Sequence, residues 1–342
     1  MQTCVLLVNL GTPDSYSNKD VRKYLDEFLS DPRVLDINPL ARKLLLNFVI
    51  LPFRTPKSAK LYKEIWTEKG SPLKYLGYDV KEKLQNELGA DYVVELAMRY
   101  QEPSLDEALQ RIKKAAYAKI IVLPLFPQYA SASTGSVQEK IMKIISSWEV
   151  MPEMEFINSY CNHPSFINAW VTRAKEYNIN DYDQIIFSYH GLPERQILKG
   201  DITGSHCLKP HCCESYSDKN YYCYRAQCFE TTRQIAERLS LRKDQYVVTF
   251  QSRLGRDPWI KPYTDDQLRI AAQEGKKKLL VFAPAFVADC LETSYEIAVE
   301  YDELFKQLGG EKVQLVESLN TLPEWISALK DITLEHSAIG IK

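Results

Sequence analysis

Along the chain, short runs of apolar, mostly β-branched residues alternate with longer stretches whose apolar positions recur every three or four residues. The runs CVLLVNL (4–10), YVVELAM (92–98), KIIVLPL (119–125), IIFSYH (185–190), YVVTFQ (246–251) and KLLVFAP (278–284) read as strands, with a weaker one at VQLVE (313–317). They are almost continuously apolar rather than alternating, the pattern of parallel strands covered on both faces. Between them, SLDEALQRIKKAAY (104–117) has helical spacing and opens with Ser104 three residues before Glu107, a capping signature. Repeated β-α-β order implies a doubly wound α/β architecture. The break VMPEMEF places the joint between two halves near residues 150–160.

In open parallel sheets, ligands bind outside the carboxyl ends of the strands. Those ends read NLGTPD (9–14), MRYQEP (98–103), FPQYASASTG (126–135), SYHGLPER (188–195), QSRLGRDPW (251–259) and APAFVADCLET (283–293), nearly all polar, aromatic or rich in Gly and Pro. His190 therefore falls on the rim where a site is expected. An imidazole there serves either as a structural hydrogen-bonding group or as a proton acceptor, since it exchanges protons near neutral pH.

After the sixth run, DCLETSYEIAVEYDE brings Asp289, Glu292, Glu296, Glu300 and Glu303 to one helix face by spacings of three and four. The row is either a solvated acidic stripe or a set of carboxylates serving a cation or protons, with Glu292 nearest the strand end. A carboxylate opposite His190 makes a mixed N/O site suited to iron.

HCLKPHCCESYSDKNYYCYRAQC is the strongest compositional anomaly: Cys207, Cys212, Cys213, Cys223 and Cys228 are five of the chain's eight cysteines. The N-terminus lacks the pattern of a signal peptide, so a cytoplasmic location is expected and metal binding outranks disulfides. Structural zinc and an iron–sulfur cluster both take four thiolates, and spacing does not choose between them.

Composition narrows the remaining classes. The 342 residues carry a net charge of −2, with 45% hydrophobic and 26% charged residues, a soluble globular balance with no field to recruit nucleic acid. The most apolar segment, Ile37 to Phe53, contains Arg42, Lys43 and Asn47 and falls short of the ~20 apolar residues a spanning helix needs. It reads as a helix packed on a core or as an exposed apolar lip touching a membrane surface or greasy ligand. No G-x-S-x-G, Gly-rich phosphate loop or H-E-x-x-H occurs, and LGTPD lacks dinucleotide-binding spacing.

From LLVNLGTPD through YKEIWTEKGSPL, MRYQEPSLDEAL, LPLFPQYASASTG, SYHGLPER, FQSRLGRDPWIKPYTDD and FAPAFVADCLETSYEI to VESLN, the chain resembles the ferrochelatase family nearly end to end. The resemblance implies two similar Rossmann-like lobes, each a parallel sheet flanked by helices, with a porphyrin cleft between them. It divides the chain into an N-terminal lobe (1–152) with a hydrophobic lip, a C-terminal lobe (153–320) with the catalytic residues and a cysteine-rich insert (203–228), and a C-terminal helix or tail (321–342). The implied activity is insertion of Fe(II) into protoporphyrin IX or coproporphyrin III to make haem. Passive carriage of haem or iron, and metal insertion into another tetrapyrrole, are the rival readings.

By the same resemblance, His190 accepts pyrrole protons or contacts the metal, Glu292 stands opposite, and Glu296 and Glu300 continue a route for metal or protons. Arg99, Tyr100 and Trp259 are expected to line the cleft, and the Ile37–Phe53 lip to make peripheral membrane contact; a monomer is expected. Where many relatives have a histidine, this chain has Cys290, and Ser131 stands where the animal enzymes have a cluster cysteine. The five-cysteine insert is similar to the internal segment of certain bacterial members that hold a 2Fe–2S centre, with structural zinc as the alternative. Cys207, Cys212, Cys223 and Cys228 are the first-choice ligands, because the adjacent Cys212 and Cys213 are not expected to serve one iron equally.

Overall fold

The computed structural model describes residues 2–253, 255 and 257–337. It contains two four-stranded, wholly parallel sheets. The first has the order β2-β1-β3-β4, built from β1 (Thr3–Gly11), β2 (Tyr92–Tyr100), β3 (Lys119–Pro124) and β4 (Glu153–Phe156). The second repeats that order as β6-β5-β7-β8, from β5 (Gln184–His190), β6 (Tyr246–Gln251), β7 (Lys278–Phe282) and β8 (Lys312–Leu315). This is the α/β architecture expected from the continuous apolar runs.

The chemistry of the runs explains their place. In β1, Cys4 through Val8 are all fully buried, because helices cover both faces of a central parallel strand. Each such aliphatic side chain contributes about 1.5–3 kcal/mol by leaving water. The helix over 105–115 shows how the covering elements are fixed. Ser104 caps it by accepting from the Glu107 N–H at 3.3 Å. Acidic Asp106 and Glu107 lie in its first turn and Lys113 and Lys114 in its last, matching the helix dipole. Leu105, Ala108, Leu109 and Ile112 face the core with Leu6, Val8, Ile120 and Val122.

The chain forms two compact units. One holds Met1–Phe126, Ala130–Asn158 and the residues from Ile326 onward; the other holds Pro127–Tyr129 and Ser159–Trp325. The joint expected at 152/153 thus lies at 158/159. EMEF, read from sequence as part of the break, is strand β4, paired with β3 from Lys119↔Glu153 to Val122↔Phe156. Four residues with two glutamates carry too little apolar pattern to announce a strand, and this edge strand needs only one neighbour. The segment from 321 contributes helix Pro323–Ser337; residues 338–342 lie outside the described residues.

Among the described residues, three π-helical segments occur, Leu46–Ile50, Ser131–Gly135 and Glu292–Tyr301. Such i→i+5 turns are rare and gather at functional sites. The first lies in the Ile37–Phe53 stretch, where Leu46 and Leu51 are buried while Leu40, Leu44, Phe48, Val49 and Phe53 are exposed, Phe48 by 73%. Among the described residues, no helix is long and apolar enough to cross a membrane.

Candidate functional site

His190 is the last residue of β5, paired with Gln251 at the end of β6. Its Nδ1 lies 2.6 Å from the Gly191 carbonyl oxygen. A carbonyl only accepts, so this contact requires the proton on Nδ1 and leaves the lone pair of the neutral ring on Nε2. Rings of Trp259 and Phe286 flank the imidazole, each with its centroid 6.4 Å away. Trp259 reaches the loop because residue 191 is glycine: a Cβ there would stand 3.1 Å from the Trp259 ring and 2.9 Å from the Gln251 carbonyl oxygen. The loop is held by a Pro193↔Trp259 bridge and by Ile260 N–H donating to Leu192 C=O at 3.0 Å. The Tyr224 hydroxyl donates to the His190 carbonyl at 2.9 Å.

Glu292 opens the π-helix Glu292–Tyr301. Its backbone carbonyl accepts from Gln251 Nε2 at 3.2 Å, so one residue touches both the His190 strand and this helix. Gln251 is itself oriented from behind: Ser188 Oγ donates to its Oε1 at 2.7 Å and lies 3.0 Å from Thr264 Oγ1, which donates to Thr249 at 2.9 Å. The Glu296 carboxylate accepts from Gln251 Nε2 at 3.0 Å, from Ser252 N–H at 2.9 Å, from Ser252 Oγ and from Tyr301 OH at 2.9 Å. Burial first, then the Glu296 charge, pushes the Tyr301 phenol far up, which keeps it a donor. Further along, Glu300 is held above the ordinary carboxylate range by desolvation and then by the charges of Glu296 and Glu303. Glu300 thus feels the charges of the carboxylates on either side of it along the helix.

Other expected site residues have different surroundings. Asp289 accepts from Asn320 Nδ2 at 2.8 Å and Ser318 N–H at 3.4 Å, while its own N–H donates to Asn320 Oδ1 at 2.9 Å. It is tied to the loop after β8, away from the Glu296–Glu300–Glu303 series. Cys290 is buried, with its Sγ 3.8 Å from Thr293 Oγ1; desolvation and then the Glu292 charge push its thiol well up. In the first unit, Tyr100 is fully buried and donates to Asp31 at 2.9 Å, and Arg99 donates to Asp31 at 2.7 Å and to Ser136 Oγ at 2.7 Å. The Tyr100 phenol forms part of the interior behind the strand end. Leu254 and Arg256, within the motif FQSRLGRDPW, lie outside the described residues.

Sequence reasoning missed the parts that aim the site: Gln251, Ser252, Tyr301, Phe286 and Tyr224. The available signal was position, because Gln251 and Ser252 sit at the strand end beside the one that carries His190.

The cysteine segment is a turn-rich stretch between helices Glu194–Lys199 and Tyr224–Arg238. Cys207, Cys212, Cys213, Cys223 and Cys228 are all buried, and none is in a disulfide. Cys212 and Cys213 place their sulfurs 3.6 Å apart. The Cys223 thiol is within hydrogen-bonding reach of both Cys207 and Cys213. Cys228 stands apart in the helix, where its thiol meets the Tyr224 hydroxyl. Arg225 Nη1 donates to Cys213 Sγ at 3.0 Å. The backbone is curled by Asp201, which accepts from His206 and Cys207 N–H, both at 2.8 Å, and by positive φ at Leu208 and His211. Among the described residues, no three Cys, His, Asp or Glu side chains converge on a point that would hold a metal ion as they stand.

Residues 2–337 match the profile of the ferrochelatase family. The chain belongs to the ferrochelatase family. A ferrochelatase of Legionella pneumophila (strain Lens) is 45% identical over 336 residues, spanning 98% of this chain and all of that protein. One of Coxiella burnetii (strain CbuK_Q154) is 45% identical over 327 residues, 95% of this chain and 91% of that one. Ferrochelatases are enzymes that insert iron into a porphyrin to make haem. The fold is also that of SirB from Bacillus subtilis solved with Fe3+, at TM-score 0.57 and 12% identity over 99% of this chain and 96% of that one. SirB of the subspecies spizizenii, a sirohydrochlorin chelatase in complex with cobalt, superposes at TM-score 0.55 with 12% identity, covering 98% and 95%.

Proposed function

We propose that this ferrochelatase inserts Fe(II) into protoporphyrin with His190 as the proton acceptor and first contact of the metal, and Glu292 as its opposing carboxylate. The observation that carries the reading is the contact of His190 Nδ1 with the Gly191 carbonyl, which leaves Nε2 as the free base at the strand end between Trp259 and Phe286. Metal insertion requires two pyrrole N–H protons to leave as the ion enters. Nε2 takes a proton without any rearrangement of the loop. Glu296, fixed by four neutral donors, keeps an oriented negative charge beside Gln251, and Glu300 continues the row outward. A rigid aromatic wall that fits a distorted macrocycle better than a flat one lowers the insertion barrier by preferring the state nearer reaction. Trp259 is assigned to that wall, with Arg99 and Tyr100 supporting the rim of their own unit. The exposed side chains of Leu40, Leu44, Phe48, Val49 and Phe53 make the apolar lip that meets the greasy substrate or a membrane surface.

The decisive experiment is iron insertion by His190→Ala, read as haem formed, beside porphyrin affinity read by fluorescence. Turnover falls about a hundredfold to ten-thousandfold, the scale of a positioned acid–base group, while porphyrin binding persists. Undiminished turnover removes the histidine from the chemistry. A parallel assay with coproporphyrin decides which ring substituents the lip accepts.

The cysteine segment is assigned a 2Fe–2S cluster. Such a cluster asks for two thiolates on each iron, and two ligands on a tetrahedral ion with ~2.3 Å metal–sulfur bonds lie about 3.8 Å apart. Cys212 and Cys213, with sulfurs 3.6 Å apart, come near that separation, and Cys207 and Cys223, whose thiols interact, supply the other two ligands. The ligand set is therefore Cys207, Cys212, Cys213 and Cys223, with Cys213 in place of the Cys228 favoured on spacing. When bound, the cluster supplies a redox-active cross-link; metal insertion itself moves no electrons. Visible absorption that bleaches with dithionite and about two irons per chain supports it, whereas a colourless protein with one zinc replaces it with a structural staple.

A further inference from the structure

The segment that carries the cysteines is joined to the catalytic rim by two consecutive residues. Tyr224 and Arg225 follow Cys223 directly and form the first turn of helix Tyr224–Arg238. The Tyr224 hydroxyl meets the Cys228 thiol and donates to the His190 carbonyl at 2.9 Å. Arg225 donates through Nη1 to Cys213 Sγ at 3.0 Å, and through Nε and Nη2 to the Lys261 carbonyl, both at 3.2 Å. Lys261 belongs to the segment that holds the His190 loop. Glu194 N–H donates to Pro258 C=O at 2.9 Å, Pro193 bridges Trp259, and Ile260 N–H donates to Leu192 C=O at 3.0 Å. Each side of the catalytic loop thus ends on a residue within two positions of Cys223 and in contact with a cysteine sulfur.

We propose that Tyr224 and Arg225 are positioning residues that couple the state of the cysteine segment to His190. A change at Cys213, by metal ligation or loss of the thiol, redirects the guanidinium that also grips Lys261. A change in the first helical turn after Cys223 moves the hydroxyl that fixes the His190 carbonyl. Because Nδ1 of His190 is set by the next carbonyl along, a shift of this short stretch re-aims Nε2. The aromatic body of Tyr224 is buried, so its hydroxyl has a defined path to the strand end. The rim responds through three hydrogen bonds of ordinary strength from two residues, which makes the coupling modest and graded.

The inference rests on His190 being the catalytic base, and extends to the cluster only through Cys213. The test uses full-length protein purified without oxygen, with metal content measured and histidine labelled at Cε1. The His190 imidazole signal is assigned by its loss in His190→Ala. In wild type, stripping the metal or replacing Cys213 with Ala shifts that signal and changes kcat about three- to tenfold, the range of coupling through a contiguous network. In Tyr224→Phe combined with Arg225→Gln, the same changes at the cysteines leave the signal and kcat where the double variant already has them. If metal is bound but the wild-type signal ignores its removal and Cys213→Ala alike, the coupling is wrong and the cluster assignment stands. If no metal is bound and Cys213→Ala still moves the signal, the coupling stands as a thiol effect and the cluster assignment falls. A signal that moves equally in wild type and double variant overturns the role of Tyr224 and Arg225. Where Cys213→Ala does not fold, Cys213→Ser gives the same comparison.

Discussion

Leu10 and His190 stand at the same place in the two sheets, each one residue before a glycine: Gly11 is the last residue of β1, and Gly191 follows the end of β5. Both glycines are forced by the neighbouring strand: a Cβ on Gly11 would lie 2.0 Å from the Tyr100 carbonyl oxygen, and one on Gly191 2.9 Å from that of Gln251. The neighbouring strands then continue alike, through Gln101 and Ser252, each with φ near 65°. Each return is closed by a strand N–H donating to a proline carbonyl, Met98 to Pro103 and Phe250 to Pro262. Only four residues (99–102) separate the first pair, but eleven (251–261) separate the second, and that longer loop carries Trp259. The plan is shared, and a histidine with a longer, tryptophan-bearing loop distinguishes one copy.

Two hydrogen-bonded carboxylates, Asp31 buried and Glu296 half-buried, show a contrast in electrostatics. Asp31 in the first unit and Glu296 in the second each accept from residues at the end of the flanking strand. Asp31 is answered by Arg99, and its charge is cancelled inside the unit. Every donor to Glu296 found among the described residues is neutral. A carboxylate oriented but not cancelled, with Glu300 and Glu303 beside it, remains available to a cation or proton. The first unit pairs its buried carboxylate internally, whereas the second leaves its carboxylate without a cationic partner among the described residues.

That contrast can be broken at several points. The largest effect is expected from His190→Ala, while Leu10→His in that background restores no turnover, because position without the aromatic wall and carboxylate row is insufficient. Next, Asp31→Asn leaves Arg99 uncompensated and costs about 3–5 kcal/mol, measurable by urea unfolding, with activity per folded molecule retained. The pH dependence follows from the same residue. Desolvation pushes the Asp31 carboxyl up, but Ser136, the Arg33 N–H, Tyr100 and Arg99 outweigh it and hold the group below its ordinary 3.8. A depressed carboxyl stabilises the fold fully above its unfolded value, so that contribution is lost only as pH falls below about 4. Glu296→Gln reverses the pattern: unfolding changes by about 1 kcal/mol, while iron insertion drops severalfold or more in a steady-state assay. The smallest effect belongs to Tyr301→Phe, which removes one of four donors and lowers turnover by at most about tenfold. A Glu296→Gln variant that unfolds as readily as Asp31→Asn would erase the distinction.

The legible part of this protein was its apolar spacing. Continuous runs located seven of the eight strands, and the polar strand ends put His190 and the row from Glu292 near one rim. β4 stayed hidden because its four residues alternate glutamate with apolar side chains, and its place comes from pairing with β3. Gln251 and Tyr224 were illegible for another reason. Their roles depend on which hydroxyl or carbonyl lies within about 3 Å, and composition carries no trace of that. Tyr100 misled in the opposite sense: a polar aromatic at a strand end looks like a ligand contact until its hydroxyl is found paired with Asp31.

The terminal position of His190 in β5 has a consequence for how this chain can change length. Strand side chains alternate faces, so deleting or inserting one residue between 184 and 190 turns every later side chain to the opposite side of the sheet. The imidazole would then enter the covering helices, and Tyr189, fully buried and bonded to Thr232, would be driven out to the rim. The turn-rich stretch between residues 199 and 224 bears no such constraint on strand parity. Variation in length among chains of this kind should therefore collect in that stretch and spare the seven residues that count out the position of His190.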